Sequence, residues 1–242
     1  MKSASVGFQC PDCVREGQRS VRQGRPLSLG ARGVPVVTYV LIGINLVVFA
    51  LAYVWHPLID VVSLHTSHLC DVKINGQWVS LIHVAAEQCT SAGGTYAAGT
   101  TSGEWWQPVT SVFAHQQIWH IAGNMISLWM IGPLVESALG RVRYLAAYLV
   151  CGLAGSAMVL AVSPPEAGTL GASGAIFGLL GILLVLFLKR GLPLQQLGVV
   201  VVLNFFITFT VPNISWQGHV GGFLAGLAIG AAFAYRPLGR RT

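Results

Sequence analysis

Six long apolar stretches alternate with polar segments along the chain. They are residues 34–55, 118–135, 144–162, 170–188, 193–211 and 217–235, each 18 to 22 residues long. A helix needs about 20 consecutive apolar residues to cross the roughly 30 Å hydrocarbon core of a bilayer. The pattern therefore predicts an all-α, polytopic membrane protein in which six transmembrane helices form a bundle.

The charged residues are too few to cover a water-soluble surface. Asp, Glu, Lys and Arg make up 9% of the 242 residues, against roughly 25% in ordinary soluble domains. Between residues 142 and 188 the only charged side chains are Arg143 and Glu166. This composition indicates the lipid bilayer as a partner and excludes disorder, a secreted disulfide scaffold and a nucleic-acid-binding domain.

The basic residues predict the orientation. With a cytoplasmic N-terminus, thirteen of the fourteen Lys and Arg residues lie inside and only Lys73 lies outside, as the positive-inside rule expects. We therefore expect a cell-membrane protein with three parts. They are a cytoplasmic basic segment at 1–33, a six-helix domain at 34–236 with an external loop at 56–106, and a cytoplasmic tail at 237–242. The start of the chain has no apolar core, so no cleavable signal peptide is expected.

The cysteines are divided between the two sides in this topology. Cys70 and Cys89 are external, where oxidation permits a disulfide, and two free thiols are the alternative. Cys10 and Cys13 lie in the cytoplasmic segment, but a structural zinc site needs four ligands and no second pair lies on that side. We expect neither a metal site nor a cofactor.

The external segment also carries His65, His68 and His83 beside its two cysteines. A surface metal site there is one interpretation. Because these residues lack ligand spacing on a predicted helix or hairpin, the sequence favours a solvated loop.

Three predicted spans carry polar side chains near their external ends. His120 and Asn124 are four residues apart in the second span and share one helix face, Ser173 is in the fourth span, and His219 is in the sixth. Ionisable groups inside a span are costly and indicate a functional site. His120, Ser173 and His219 are each the third or fourth residue of their predicted span, which places them at a similar depth, roughly 5 Å below the external edge.

Glycines recur on the two spans that carry Ser173 and His219. Small residues on one face let helix backbones approach closely in lipid, and a short serine side chain reaches a histidine only across such an approach. The alternative is that Ser173 and the glycines serve packing alone and that His219 only bonds a neighbouring helix. The repeated glycines are Gly174 and Gly178 in the fourth span and Gly218, Gly222, Gly226 and Gly230 in the sixth.

A serine beside a histidine is the arrangement of a nucleophile with its base. The usual third member is a carboxylate, but after Trp105 the only acidic residues are Glu136, at the cytoplasmic end of the second span, and Glu166, in an external loop. The sequence therefore favours a dyad. Candidate donors to a developing oxyanion are the Ser173 backbone N–H, His120 and the Asn124 amide.

These motifs closely resemble the rhomboid family of intramembrane serine proteases. The resemblance implies a six-helix fold and hydrolysis of peptide bonds in or near the transmembrane segments of membrane proteins, with Ser173 as nucleophile and His219 as its base. It covers about residues 35–235 and is densest in Gly103-Glu104-Trp105-Trp106 and in residues 115–124, 136–141, 171–174 and 219–222.

The resemblance also implies the surroundings of the dyad. His120 and Asn124 would support the oxyanion hole, Gly171 belongs to the same oxyanion and substrate-binding group, and His115 would line the site. Many relatives have arginine where this chain has Gln107, so the role of that arginine in the external loop would be weakened here. Relatives often carry a longer cytoplasmic Cys/His module, of which only the Cys10–Cys13 pair resembles the end.

Three other functions predict different sequences. A catalytically silent rhomboid-like binder would lack the serine or the histidine. A transporter or channel would have polar residues throughout the bilayer or an inverted repeat, and a zinc metalloprotease would have a His-Glu-x-x-His motif, which His115 and His120 do not form. In the fifth span, Asn204, Thr208 and Thr210 either bond to neighbours or face a lateral opening for a substrate helix.

Overall fold

The computed structural model describes residues 2–3, 8–10, 33–55, 57–82, 84–165, 167–212 and 214–235. The chain forms two compact units, residues 1–33 and 34–242. In the first unit, strand β1 (Lys2–Ser3) pairs antiparallel with β2 (Phe8–Gln9). Cys13, His83, Glu166 and the tail at 237–242, for which the sequence gives predictions, lie outside the described residues.

The second unit is mainly helical. Its elements, in chain order, are α1 (Val36–Val54), α2 (Pro57–Val62), β3 (Leu64–His65), β4 (Leu69–Ile74), β5 (Gln77–Ile82), α3 (Ala86–Ser91), β6 (Thr95–Ala97), a 3₁₀ turn (Thr100–Ser102), α4 (Gln107–Thr110), a second 3₁₀ turn (Ser111–Phe113), α5 (Ile118–Leu139), α6 (Arg141–Val162), β7 (Gly168–Thr169), α7 (Ser173–Arg190), α8 (Gln195–Thr210) and α9 (Trp216–Ala234).

Five of the described helices, α1, α5, α6, α7 and α9, are long and apolar enough to cross a membrane. This confirms the prediction of a polytopic helical bundle. The predicted span at 193–211 is instead the shorter apolar helix α8, with 16 residues. At 1.5 Å per residue α8 is about 24 Å long, which is less than the thickness of the hydrocarbon core.

The fourth predicted span begins three residues later than the sequence suggests. Gly171 has φ +123°, which a right-handed helix does not accommodate, so residues 170–172 form a loop and α7 begins at Ser173. Ser173 is therefore the first residue of its helix and not the third or fourth. His120 is the third residue of α5 and His219 the fourth of α9, as predicted.

Helix α7 is the most buried of the spanning helices and packs against α5, α6 and α9. The backbones of α7 and α9 touch through their glycines. A Cβ atom placed on Gly222 would collide with the Gly174 carbonyl, and one on Gly226 would collide with the Gly178 carbonyl. The glycine spacing thus marks a backbone contact that any larger residue would prevent.

The Glu136 carboxylate binds the beginning of α1. It accepts hydrogen bonds from the backbone N–H groups of Val37 at 3.1 Å and Thr38 at 2.9 Å and from the Thr38 hydroxyl at 2.8 Å. A negative charge there also complements the helix dipole. Glu136 follows His120 by sixteen residues in α5, about 24 Å along the axis, so it does not approach Ser173.

The segment between α1 and α5 is folded, which corrects the prediction of a solvated loop. Strands β5, β4 and β6 form an antiparallel sheet in that order, and a disulfide joins Cys70 of β4 to Cys89 of α3. We call β4, β5, α3 and β6 the disulfide module. Among the described residues no three His, Cys, Asp or Glu side chains are grouped as metal ligands.

The missed hairpin has a sequence signal. Asn75 and Gly76 connect β4 to β5 and have φ values of +52° and +83°. An Asn-Gly pair between two strands is the strongest short-range sign of a two-residue hairpin, and it was available in the sequence.

Candidate active site

Ser173 and His219 are in direct contact. Ser173 begins α7 and His219 lies in the first turn of α9, and the Ser173 Oγ atom is 2.8 Å from the His219 Nε2 atom. The close approach of the α7 and α9 backbones allows this distance, because a serine side chain extends only one bond beyond Cβ. An imidazole nitrogen at this distance can accept the hydroxyl proton.

Two further side chains hold the His219 ring. Phe177 stacks on it, with ring centroids 4.1 Å apart and an angle of 10° between the planes, and Thr208 Oγ1 is 2.8 Å from His219 Nδ1. Phe177 was not predicted as a site residue, although its position one helical turn after Ser173 places it on the same face of α7. For Thr208 the sequence left two roles open, a bond to a neighbour or a position at a lateral opening.

Gly171, two residues before Ser173 in the chain, lies beside His120 and Asn124 of α5. A Cβ atom on Gly171 would lie 2.7 Å from the His120 ring and 3.5 Å from the Asn124 Nδ2 atom. The Gly171 N–H donates to the Ser111 carbonyl at 2.8 Å. The loop thus needs glycine both for its positive φ and for the space that His120 occupies.

His115, which precedes α5, contacts Asn124 and the backbone of Ala172. Its Nε2 atom is 3.0 Å from Asn124 Nδ2, and the Ala172 N–H points to the same nitrogen at 3.5 Å. Burial and the neighbouring His120 ring lower the pKa of His115 to about 4, so the ring is neutral at pH 7. Both contacts come from N–H groups; therefore Nε2 accepts, and the Asn124 amide keeps a second N–H for another acceptor.

Gln107 lies at the end of the segment between α1 and α5 and forms hydrogen bonds within it. It is fully buried: its Oε1 atom accepts from the His65 N–H at 3.1 Å and from the Thr100 hydroxyl at 3.3 Å, and its Nε2 atom donates to the Ala98 carbonyl at 2.9 Å. An arginine offers no acceptor, so these contacts suit the glutamine. Gln107 therefore stabilises the segment between α1 and α5 by hydrogen bonds that an arginine could not all form, and the substitution does not simply weaken that segment.

Through His65 this network reaches the loop before Ser173. Strand β3 pairs antiparallel with β7, with His65 opposite Gly168 and Leu64 opposite Thr169. Thr66, the residue after β3, continues the pairing, because its N–H donates to the Ala167 carbonyl at 3.1 Å. The segment between α1 and α5 is thereby hydrogen-bonded to the residues that lead into Gly171.

We predict that Gln107→Ala destabilises the protein. The His65 N–H and the Ala98 carbonyl would lose their buried partner, and each unsatisfied group costs about 1–3 kcal/mol, which corresponds to a melting temperature lower by several degrees. Thermal unfolding in detergent measures this change, with Gln116→Ala as the matched control because Gln116 is exposed. Equal melting temperatures for the two variants would contradict the assigned role.

The known proteins that this chain resembles all belong to one family. The model of the Rhomboid domain matches residues 102–236. The chain is 41% identical to the rhomboid protease GluP of Bacillus subtilis over 136 residues, which are 54% of this chain and 26% of GluP. It is 36% identical to RHOMBOID-like protein 5 of Arabidopsis thaliana over 143 residues, 56% of this chain and 46% of that protein.

A shorter relative is covered more fully. The chain is 31% identical to the putative rhomboid protease YdcA of Bacillus subtilis over 139 residues, which are 55% of this chain and 70% of YdcA. Against GluP and RHOMBOID-like protein 5, by contrast, the chain spans less than half of the relative's length. The described site residues from Gln107 to His219 all lie within the matched domain.

Proposed function

This chain belongs to the rhomboid family, and from that membership we propose that it is a serine protease that hydrolyses peptide bonds in or near the transmembrane segments of membrane proteins. The observation that carries the proposal is the 2.8 Å contact between Ser173 Oγ and His219 Nε2. Relatives named as rhomboid proteases support protease-type chemistry in a multi-pass membrane protein.

The reaction uses Ser173 and His219 as a dyad. His219 Nε2 takes the hydroxyl proton as Ser173 Oγ attacks the carbonyl carbon of the scissile bond. The tetrahedral intermediate then expels the amine, which receives the proton from His219, and leaves an acyl-enzyme. A water molecule, deprotonated by His219, hydrolyses the ester and restores the serine.

The group around Gly171 stabilises the oxyanion in this proposal. Asn124 has one amide N–H not used by His115, and His120 lies against Gly171, close to the first turn of α7. The Ser173 backbone N–H belongs to the first turn of α7, where the helix dipole also favours negative charge. Preorganised donors of this kind commonly supply the largest single part of such catalysis.

The charge distribution and the disulfide both support the proposed topology. The proposed cytoplasmic side, with both termini, carries thirteen of the fourteen basic residues. The Cys70–Cys89 disulfide needs an oxidising compartment, and β3–β7 pairing bonds its segment to the loop before Ser173. We therefore assign the site to the external end of a protease domain at 34–236 in the cell membrane, with water entering from outside.

Substrates in this proposal are transmembrane helices that unwind easily. A regular helix occupies its carbonyls in its own hydrogen bonds and hides them from attack. Gly or Pro near the cleaved bond of the substrate favours the extended form. From the family resemblance we also expect a small residue immediately before that bond.

The alternative is a silent family member that binds membrane segments without cleaving them. Such a protein would lack one of the two reactive groups or hold them apart. Here the serine and the histidine are both present and within hydrogen-bond distance, which favours the protease.

Labelling with a fluorophosphonate tests the proposed chemistry. We expect one covalent adduct on the full-length protein in detergent, located at Ser173 by peptide mapping, because only a serine activated by a base reacts quickly with such probes. Ser156 is a useful internal comparison, since its hydroxyl donates to the Pro108 carbonyl at 2.8 Å. Labelling elsewhere, or labelling no faster than that of heat-denatured protein, would reject the proposal.

A further inference from the structure

Thr208 is the buried residue of a helix whose other residues are exposed or half-buried. Of the sixteen residues of α8, all of them described, Thr208 alone is buried, at 3% exposure. The apolar side chains around it, including Phe206, Ile207 and Phe209, are exposed. Phe205 is half-buried and packs edge-on against Phe177 and Phe223. The Thr208 hydroxyl is buried more deeply, and a buried hydroxyl needs a polar partner.

The Thr208 hydroxyl has two partners at hydrogen-bond distance. Its Oγ1 atom is 2.7 Å from the Asn204 carbonyl and 2.8 Å from His219 Nδ1. A threonine hydroxyl carries one hydrogen and two lone pairs. Because a carbonyl oxygen can only accept, the Thr208 hydrogen points to Asn204, and the lone pair that remains points to His219 Nδ1.

This arrangement favours one position for the His219 proton. With the Thr208 hydrogen on the Asn204 carbonyl, Nδ1 donates to the Thr208 oxygen, so the neutral ring carries its hydrogen on Nδ1 and leaves a lone pair on Nε2. That lone pair faces the Ser173 hydroxyl. The opposite tautomer would require the Thr208 hydrogen to turn from the Asn204 carbonyl to Nδ1, and it would place a hydrogen on the nitrogen that must accept the serine proton.

Thr208 and Phe177 constrain different motions of the ring. Phe177 lies parallel to the imidazole plane, which limits tilting but permits rotation within the plane. The bond from Nδ1 to Thr208 fixes that rotation, and with it the direction of Nε2 toward Ser173. The two contacts together define one orientation of the base.

We propose that Thr208 is the positioning residue of the dyad: it fixes the tautomer and the orientation of His219, the role that a carboxylate has in serine proteases with a triad. This inference rests on the proposed protease function. When Nε2 takes the serine proton, the imidazolium donates from Nδ1 to the same oxygen, and that hydrogen bond strengthens because its donor is now charged.

Substitution of Thr208 tests the proposal by kinetics. Thr208→Val keeps the shape of the side chain and removes the oxygen. We expect kcat to fall about tenfold, with little change in KM, because the variant loses a hydrogen bond that strengthens when His219 becomes charged. Thr208→Ser should restore kcat to within about twofold of the wild type, since the hydroxyl is present again. Thr210→Val is the matched control, because Thr210 also donates to the carbonyl four residues back, at 2.7 Å, but is exposed.

Nitrogen-15 NMR of histidine-labelled, full-length protein in detergent reads the tautomer without any proteolysis. In the wild type we expect His219 as the Nδ1–H form, identified by loss of its signals in His219→Ala, and in Thr208→Val a mixture of both forms. Wild-type kcat in Thr208→Val, no recovery in Thr208→Ser, or an unchanged tautomer in Thr208→Val would each overturn the proposal. A wild type that neither cleaves nor labels would reject the protease function instead, and the spectra would still report on Thr208.

Discussion

Ser173→Ala should abolish cleavage of a transmembrane substrate. The substitution removes only the Oγ atom that lies 2.8 Å from His219 Nε2, and no other nucleophile takes its place at the beginning of α7. Losses on removing the nucleophile of a serine protease are at least about 10⁴-fold in kcat. We expect a change of that size, with folding and expression retained because alanine fits where serine does.

The assay compares purified wild type and variant on one transmembrane substrate in detergent or liposomes. Ser137→Ala is a suitable control, since Ser137 is exposed and its hydroxyl only bonds the Leu134 carbonyl at 2.9 Å within its own helix. If Ser173→Ala cleaved at more than a few per cent of the wild-type rate, Ser173 would not be the nucleophile.

Asn124→Ala should give the second largest loss. The Asn124 Nδ2 atom lies beside Gly171 and has an N–H free for the oxyanion, the other being directed to His115. Deleting one such donor lowers kcat by roughly 10²- to 10³-fold. Because the donor acts on charge that develops only in the transition state, kcat should fall more than KM changes.

Steady-state kinetics of Asn124→Ala separates this role from packing. Asn45→Ala removes another buried amide, one that bonds the Leu41 carbonyl within α1 at 2.7 Å, and serves as the matched control. A loss for Asn124→Ala no greater than for Asn45→Ala, measured per folded molecule, would remove Asn124 from the oxyanion site.

The bundle could be predicted from the sequence because lipid imposes a simple rule of length and hydropathy. Five of the six apolar stretches form helices that are long and apolar enough to span a membrane. The exceptions have local causes: α8 is shorter, lying between Pro193 and Pro212, and proline is poorly accommodated inside a helix. The beginning of α7 is set by the positive φ of Gly171, which hydropathy does not register.

The fold of the segment between α1 and α5 was not predicted from the sequence. Its composition indicates a loop, whereas pairing of β4 with β5 and β6 and the Cys70–Cys89 bond give it a fold. The Asn75-Gly76 turn was a local signal for the hairpin. The hydrogen bonds from Gln107 to the His65 N–H and the Ala98 carbonyl had no such signal. Their partners are backbone groups, which every residue has, and His65 is distant in the chain.

The sequence by itself determined that this is a helical membrane protein, and it selected Ser173 and His219 by their depth and by the glycines that let their helices touch. Those features are local: each depends on composition or on spacing within one helix. Only the tertiary structure decided how α8 meets α9, and therefore that the Thr208 oxygen faces Nδ1 of His219. A hydrogen bond between two helices depends on their rotation and separation, which no periodicity within either helix specifies.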